Sequence, residues 1–352
     1  MGILFKRLLH PISVSAIFVV ALAGTYLYKP DIVSAPTLQV LSNIHEPRAV
    51  ALIPVRILFL GDIMLDRSVA VRAKAVGYDA LTTKVESMFT SADATVANLE
   101  GTITTNPSIS QVDHTKLQFT FNPAAVPFLQ HIGITAVSLS NNHALDFGRS
   151  GYRATKEFLK QGNIIAFGSP YNFDNPSTKF TIRGRNICFV GYEGAYTFNA
   201  SSTEREIARL RPSCDLLIAT MHAGVEYDTG HTSEQRRVAR AFIDAGADAI
   251  IGTHPHVVEP LEIYKGKAIF YSLGNFIFDQ NFSFGTTHGL AVYMEWNENE
   301  TAYELVPITI RGQEVTFSDN AEGLKTRSAL IDRELPNDIS GAILNTSSFT
   351  LK

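Results

Sequence analysis

Apolar residues in this chain fall into short runs, and many of those runs stop at a glycine followed or preceded by a carboxylate, asparagine or histidine. Val55-Arg56-Ile57-Leu58-Phe59-Leu60 reads as a strand buried on at least one face, and it ends at Gly61-Asp62-Ile63-Met64. Ala94-Thr95-Val96-Ala97-Asn98-Leu99 reads as a second strand, closed by Glu100-Gly101. A third, Ala136–Ser140, runs into Asn141-Asn142-His143. Cys214–Met221 runs directly into His222, and Asp248–Ile251 feeds Gly252-Thr253-His254-Pro255-His256. Ala268–Leu273 stops at Gly274-Asn275. Between these runs the pattern predicts helices at Val69–Ala75, Ala124–His131, Gly151–Gln161, Glu204–Leu210 and Ser233–Ala245, the last with a serine cap and a stop at Gly246. Lys179–Ile182 and Asn186–Gly191, with Gly184 between them, read as a hairpin. Leu290–Trp296 and Tyr303–Ile310 alternate as strands, and residues from Asp319 onward read as a polar, weakly structured tail.

Strands alternating with helices predict an α/β domain with buried sheet. In such folds ligands bind just beyond the carboxyl ends of strands. Asp62, Glu100, Asn142, His143, His222, His254 and His256 all fall at those ends. Pro255 makes a continuing helix unfavourable, so the His-Pro-His segment reads as extended chain or loop. Residues two apart on extended chain point to one side, which would bring both imidazoles to one point. Carboxylate, amide oxygen and imidazole together suit Mn, Fe or Zn, and no cysteine joins the set. The number of ligands is larger than one ion needs, which favours two divalent ions bridged by a carboxylate. Such a pair serves hydrolysis of phosphate esters or amides, with a neighbouring histidine protonating the leaving group.

The remaining composition narrows the setting. The 352 residues suffice for a substantial core, and a net charge of -4 without a basic block argues against nucleic acid as a partner. Lys6 and Arg7 precede an uncharged, largely apolar run of 17 residues, Ile12 to Tyr28, at the short end of the ~17–25 that span a bilayer. An uncleaved membrane anchor in residues 1–30 is the favoured reading. A signal peptide cleaved near Ala21-Leu22-Ala23 competes with it, and either would place the rest of the chain across the membrane. Residues 31–54, with Pro36, Pro47 and Pro54, read as a tether, residues 55–318 as the domain and 319–352 as the tail. Cys188 and Cys214 are expected to be buried free thiols, with a single bridge open to a domain outside the cytoplasm.

Six segments in order carry a resemblance. They are Gly61-Asp62-Ile63-Met64, Asn98-Leu99-Glu100, Ser140-Asn141-Asn142-His143 with Asp146 and Gly148, His222-Ala223-Gly224-Val225-Glu226-Tyr227, Gly252-Thr253-His254-Pro255-His256-Val257 and Ser272-Leu273-Gly274-Asn275-Phe276. Together, over about Val55 to Asp279, they resemble the CapA family of capsule and poly-γ-glutamate biosynthesis proteins, which is similar to calcineurin-like metallophosphatases. The resemblance implies a sandwich of two mixed sheets flanked by helices. It implies one ion on Asp62 and His256, a second on Asn142, His222 and His254, Glu100 bridging them where phosphatases carry aspartate, and His143 as the acid. It also implies an anionic capsule polymer or a phosphoester as substrate, and synthase partners in the membrane. The chain departs from the pattern at Met64, where the phosphatases have histidine, at Ala223, where the family has tryptophan, and at Glu259, where it has glutamine.

Other motif residues have lesser expected roles. Asp66 and Asp146 read as loop or supporting carboxylates, and Glu226 is equally undecided. Asn141 reads as a turn former and Asn275 as a support for the His-Pro-His loop. Arg67 and Arg149 read as exposed loop arginines that adjoin the motif loops.

Overall fold

A computed structural model describes residues 53–352 apart from 173, 197 and 198. The expected anchor, and the expected tether up to residue 52, lie outside the described residues. Among those described, no helix is long and apolar enough to cross a membrane.

The Val55–Ile63 strand shows how its sequence builds the layers. Side chains alternate faces along a strand. Val55, Ile57 and Phe59 therefore point one way, into a core shared with Ile187, Phe189, Ile218, Ile251 and Phe270 of a second sheet. Leu58 and Leu60 point the other way, into a core with Phe128, Leu129 and Leu159 from the helices Ala125–His131 and Gly148–Gln161. The second sheet repeats the scheme. Its outer residues Val190, Leu217 and Ala219 pack with Ile207, Val238 and Phe242 from the helices Ser201–Leu210 and Ser233–Ala245. The order of layers is helix, sheet, sheet, helix. This is the expected sandwich of two mixed sheets.

The first sheet has nine strands. Val55–Ile63 lies parallel to Ala94–Leu99, which lies parallel to Ile134–Ser138, and antiparallel to His288–Trp296 on its other side. The second has six, with Arg185–Glu193, Leu216–His222, Ala249–Thr253 and Lys267–Phe270 parallel to their neighbours and an antiparallel strand at each edge. The predicted hairpin is one of those edges. Because the central strands of each sheet run parallel, their carboxyl ends share a rim, and Asp62, Glu100, His222 and Thr253 lie along the two rims.

The structure corrects four expectations. The tail is folded. Helices Asn320–Ser328 and Asn337–Thr346 precede a strand, Ser348–Leu351, that pairs with Thr301–Arg311. Leu335, Ile339 and Ile343 recur every four residues and are buried, with Phe349, in the core between the sheets. Ile339 and Ile343, four apart in the second helix, form an apolar face hidden by the polar residues around them, and Leu335 stands just before that helix. The helix Ser233–Ala245 is capped by Thr232, whose hydroxyl accepts from Gln235 N (3.0 Å) while Gln235 Oε1 accepts from Thr232 N (2.7 Å). Ser233 is already the first helical residue, one place too late to cap. The His-Pro-His segment is not extended, since His254 and His256 have φ of 100° and 60°. The two rings converge, at 6.1 Å between centroids, because the backbone twists twice around Pro255.

The fourth correction concerns the cysteines, which form a disulfide, Cys188–Cys214, between the Arg185–Glu193 strand and the turn that leads into the Leu216–His222 strand, with Cα atoms 5.8 Å apart. Strand pairing, which sets Cys188 opposite Leu217, brings the two residues into bridging range. A bridge closing 26 residues is expected to contribute about 3 kcal/mol by restricting the unfolded chain. The double variant C188A/C214A should lose about that much in urea unfolding. An unchanged midpoint and slope would show that the bridge contributes nothing.

Candidate metal centre

Asp62 is positioned by a close approach of two backbones. A Cβ on Gly61 would lie 1.9 Å from the Gly274 carbonyl oxygen, so only glycine lets the chains meet there. Asp62 N then donates to that oxygen (3.1 Å), and the carboxylate is turned into the space between the sheets, fully buried. One carboxylate oxygen accepts from Asn98 Nδ2 (2.7 Å) on the neighbouring strand. The other accepts from the backbone N of His254 (3.3 Å), in the second sheet's loop, and lies 3.2 Å from His256 Nδ1.

Glu100 follows the Ala94–Leu99 strand and is also fully buried. Its Oε2 accepts from Asn98 Nδ2 (3.2 Å), while Oε1 has no hydrogen-bond partner. That free oxygen lies 3.6 Å from His256 Nε2 and 4.0 Å from His143 Nε2. Burial, and then the Asp62 charge, push the Glu100 carboxyl well above its ordinary range.

His222 ends its strand with both nitrogens engaged, Nδ1 3.0 Å from Thr253 Oγ1 and Nε2 2.8 Å from Asn142 Oδ1. Burial and the neighbouring imidazoles hold it well below the usual histidine range. His254 lies tilted against it, 4.7 Å between ring centroids, and its Nδ1 is buried without a partner. Burial, followed by His256, lowers His254 to about 4. Both rings are therefore neutral at pH 7, the form that binds metal. His256 Nδ1 lies 3.0 Å from Asn275 Oδ1. The Asn275 amide nitrogen donates to Gln280 Oε1 and the Thr286 carbonyl (both 3.0 Å), so its oxygen is the atom facing the imidazole. With Nδ1 donating there, Nε2 of His256 faces Glu100 with its lone pair free.

His143 sits at the mouth. Its Nδ1 is 2.8 Å from Asp146 Oδ2, which also accepts from Phe119 N (2.7 Å), and its ring lies 4.3 Å from that of Phe119. All seven residues singled out in the sequence thus belong to one cluster. Ligand atoms of Asp62, Glu100 and His256 lie within 4.8 Å of one another, and so do those of Glu226, His254 and His256.

The supporting residues divide differently. Asn98 was quoted only as part of a motif, yet its amide joins Asp62, Glu100 and His222 (Nδ1 at 3.3 Å), and nothing in an isolated strand marks it. Asn141 is structural through its side chain, which donates to Asn98 Oδ1 (3.0 Å) and the Leu99 carbonyl (2.9 Å), and its backbone is not left-handed. Asp66 caps the helix Arg67–Val76 and accepts from Ser108, Gln111 and Thr120, so it holds a loop. Arg67 is not an exposed loop arginine. It pairs with Asp279 and lies over the Phe119 ring, 4.9 Å from its centroid. Met64 is buried in the apolar core and its sulfur accepts from Asp66 N.

Residues 56–280 match the family described as bacterial capsule synthesis protein PGA_cap. The chain belongs to that family. The PGA biosynthesis protein CapA of Bacillus subtilis (strain 168) is 31% identical over 298 residues, covering 80% of this chain and 77% of its own. The capsule biosynthesis protein CapA of Bacillus anthracis is 27% identical over 273 residues, covering 72% and 66%. A crystal structure of a novel phosphatase from Mycoplasma pneumoniae superposes with a TM-score of 0.44 at 17% identity, over 74% of this chain and 90% of that one, too loosely to bear on function.

The two other departures from the expected PGA_cap pattern are joined by one side chain. Gln235 Nε2 donates to the carbonyl of Ala223 (3.0 Å) and to Glu259 Oε2 (2.7 Å). Burial pushes the Glu259 carboxyl up to about 8, so at neutral pH it adds little of the negative charge expected beside the cluster. A carboxyl raised from 4.5 to about 8 on folding stabilises the fold least above pH 8. The Glu259→Gln variant should therefore match the wild type below about pH 4.5 and gain on it as pH rises to 8, by on the order of a few kcal/mol. Thermal unfolding across that pH range measures the gain, and two parallel curves would contradict it.

Proposed function

We propose that this member of the capsule synthesis family is a membrane-anchored protein of anionic capsule polymer biosynthesis, of the poly-γ-glutamate kind, whose domain lies outside the cytoplasm and carries a metal-dependent hydrolase-like site. One observation carries the metal reading. Asp62 and Glu100 are fully buried side by side, and among the described residues no lysine or arginine pairs with either; the basic side chains within 4 Å are histidine rings. Two buried carboxylates without a compensating cation are costly. The unpartnered Glu100 Oε1 and His254 Nδ1 point to the same missing group.

The donor set fits divalent Mn, Fe or Zn. Asp62 and His256 would hold one ion and Asn142, His222 and His254 a second, with Glu100 between them. A divalent ion supplies Lewis-acid polarisation and a water of lowered pKa. The chain's own part is proton delivery and positioning. His143 is held by Asp146 through Nδ1, which leaves Nε2 directed at Glu100 and able to protonate a leaving group, whether phosphoester or amide. The disulfide supports an extracytoplasmic domain, because such bridges persist in oxidising compartments. The 17-residue apolar run supports anchoring, which would bring the domain to membrane-bound synthase partners.

Met64, in the position where phosphatases have a histidine, favours a second reading, a non-catalytic factor for polymer assembly or export. The purified full chain is expected to contain divalent metal and to turn over a phosphodiester or γ-glutamyl substrate, with both lost in His254→Ala. If instead His254→Ala leaves polymer export intact while deletion of residues 1–30 abolishes it, the second reading holds.

A further inference from the structure

Glu226 has no role in the ligand set implied by the family resemblance. It lies on the loop after the Leu216–His222 strand, and its neighbours Val225 and Tyr227 are 53% and 42% exposed. A solvated loop acid would normally need no explanation. Its position does. One carboxylate oxygen lies within 4.8 Å of a ring nitrogen of His254 and of His256, a grouping as tight as that of Asp62, Glu100 and His256. His254 is 5% exposed and presents a nitrogen with no partner.

The loop is built to hold the carboxylate there. Gly224, at φ 127°, sits where a Cβ would come within 2.9 Å of both Gln235 and Pro255, so the loop passes flush against the His-Pro-His segment. Tyr227 N donates to the Pro255 carbonyl (2.8 Å), and Tyr227 Oη accepts from Gln280 Nε2 (3.1 Å), the same glutamine that accepts from Asn275. Tyr227 takes a left-handed φ of 68° in this arrangement. Asn275 in turn faces His256. Glu226 is thus clamped through its neighbours to the two histidines it faces.

We infer that Glu226 is a further metal ligand, a loop carboxylate that joins His254 and His256 in holding an ion. The inference rests on the metal reading above. A hard oxygen donor in place of an imidazole shifts the set toward three carboxylates against three histidines, which suits Mn²⁺ better than a nitrogen-rich set would. Because the loop is exposed, the ligand also lies where substrate enters, and a bound ion would tie that loop to the cleft floor.

Calorimetric titration of Mn²⁺ into the chelator-stripped full chain tests this. Glu226→Gln keeps the side chain's shape and should weaken Mn²⁺ binding by on the order of tenfold or more. Asp228→Asn, which removes an acid two residues along the same loop, should leave affinity near that of the wild type. Unfolding temperatures of the stripped proteins should agree, which separates ligation from damage to the fold. Equal affinity in Glu226→Gln and wild type, with binding lost in His254→Ala, would overturn the inference while leaving the metal site standing. Equal weakening by both loop variants would overturn it in favour of general loop charge. A wild type that takes up no Mn²⁺ would overturn this inference, and one that takes up none of Mn²⁺, Fe²⁺ or Zn²⁺ would sink the metal reading with it.

Discussion

The Asp62 carboxylate is the point on which the two sheets depend. It accepts from Asn98 on its own sheet and from the His254 backbone in the loop of the other, and it is fully buried while doing so. A buried carboxylate shared in this way is tolerable only when its partners are held in place. The partners here are held by backbone geometry. Parallel strands set the depth of Asn98 and His222, and the left-handed turns at His254 and His256 aim a backbone N–H and two imidazoles back toward the rim.

The surrounding shell follows from that constraint. Asn98 touches three members of the cluster and is itself fixed by Asn141, Asn275 orients His256, and Thr253 faces His222. Each is a short polar side chain on a strand or just beyond one, where the backbone moves little. The result is a site in which burial holds His222 and His254 below the usual histidine range and no lysine or arginine among the described residues pairs with Asp62 or Glu100. Under the proposed metal reading, such an arrangement would trade apo stability for affinity toward a divalent ion.

The apolar packing sets the distance between the two rims. Inward residues of both sheets fill one core, and the folded C-terminal segment closes it with Leu335, Ile339, Ile343 and Phe349. The disulfide ties one strand of the second sheet to the turn that leads into its neighbour, just outside that core. Removing either device would loosen the sheet that carries His222 and the His-Pro-His loop, and so would reach the cluster without touching it.

Local pattern alone determined the run of strands and helices, the α/β class and the seven residues of the cluster, because each motif residue stands directly after an apolar run and strand ends are where α/β folds gather polar groups; the two-sheet sandwich followed from the family resemblance. The order of the motifs determined the family. Tertiary structure decided the rest. It joined Cys188 to Cys214 through strand pairing, a contact between residues 26 apart that no local signal carries. It folded the polar-looking tail, because a few apolar side chains, Leu330, Leu335, Ile339, Ile343 and Phe349, suffice once a core stands ready to receive them. It brought His254 and His256 together by left-handed turns rather than by strand alternation, and it showed Arg67 paired with Asp279. It also set Glu226 beside the histidines, since a loop's path is decided by what it packs against and not by its own sequence.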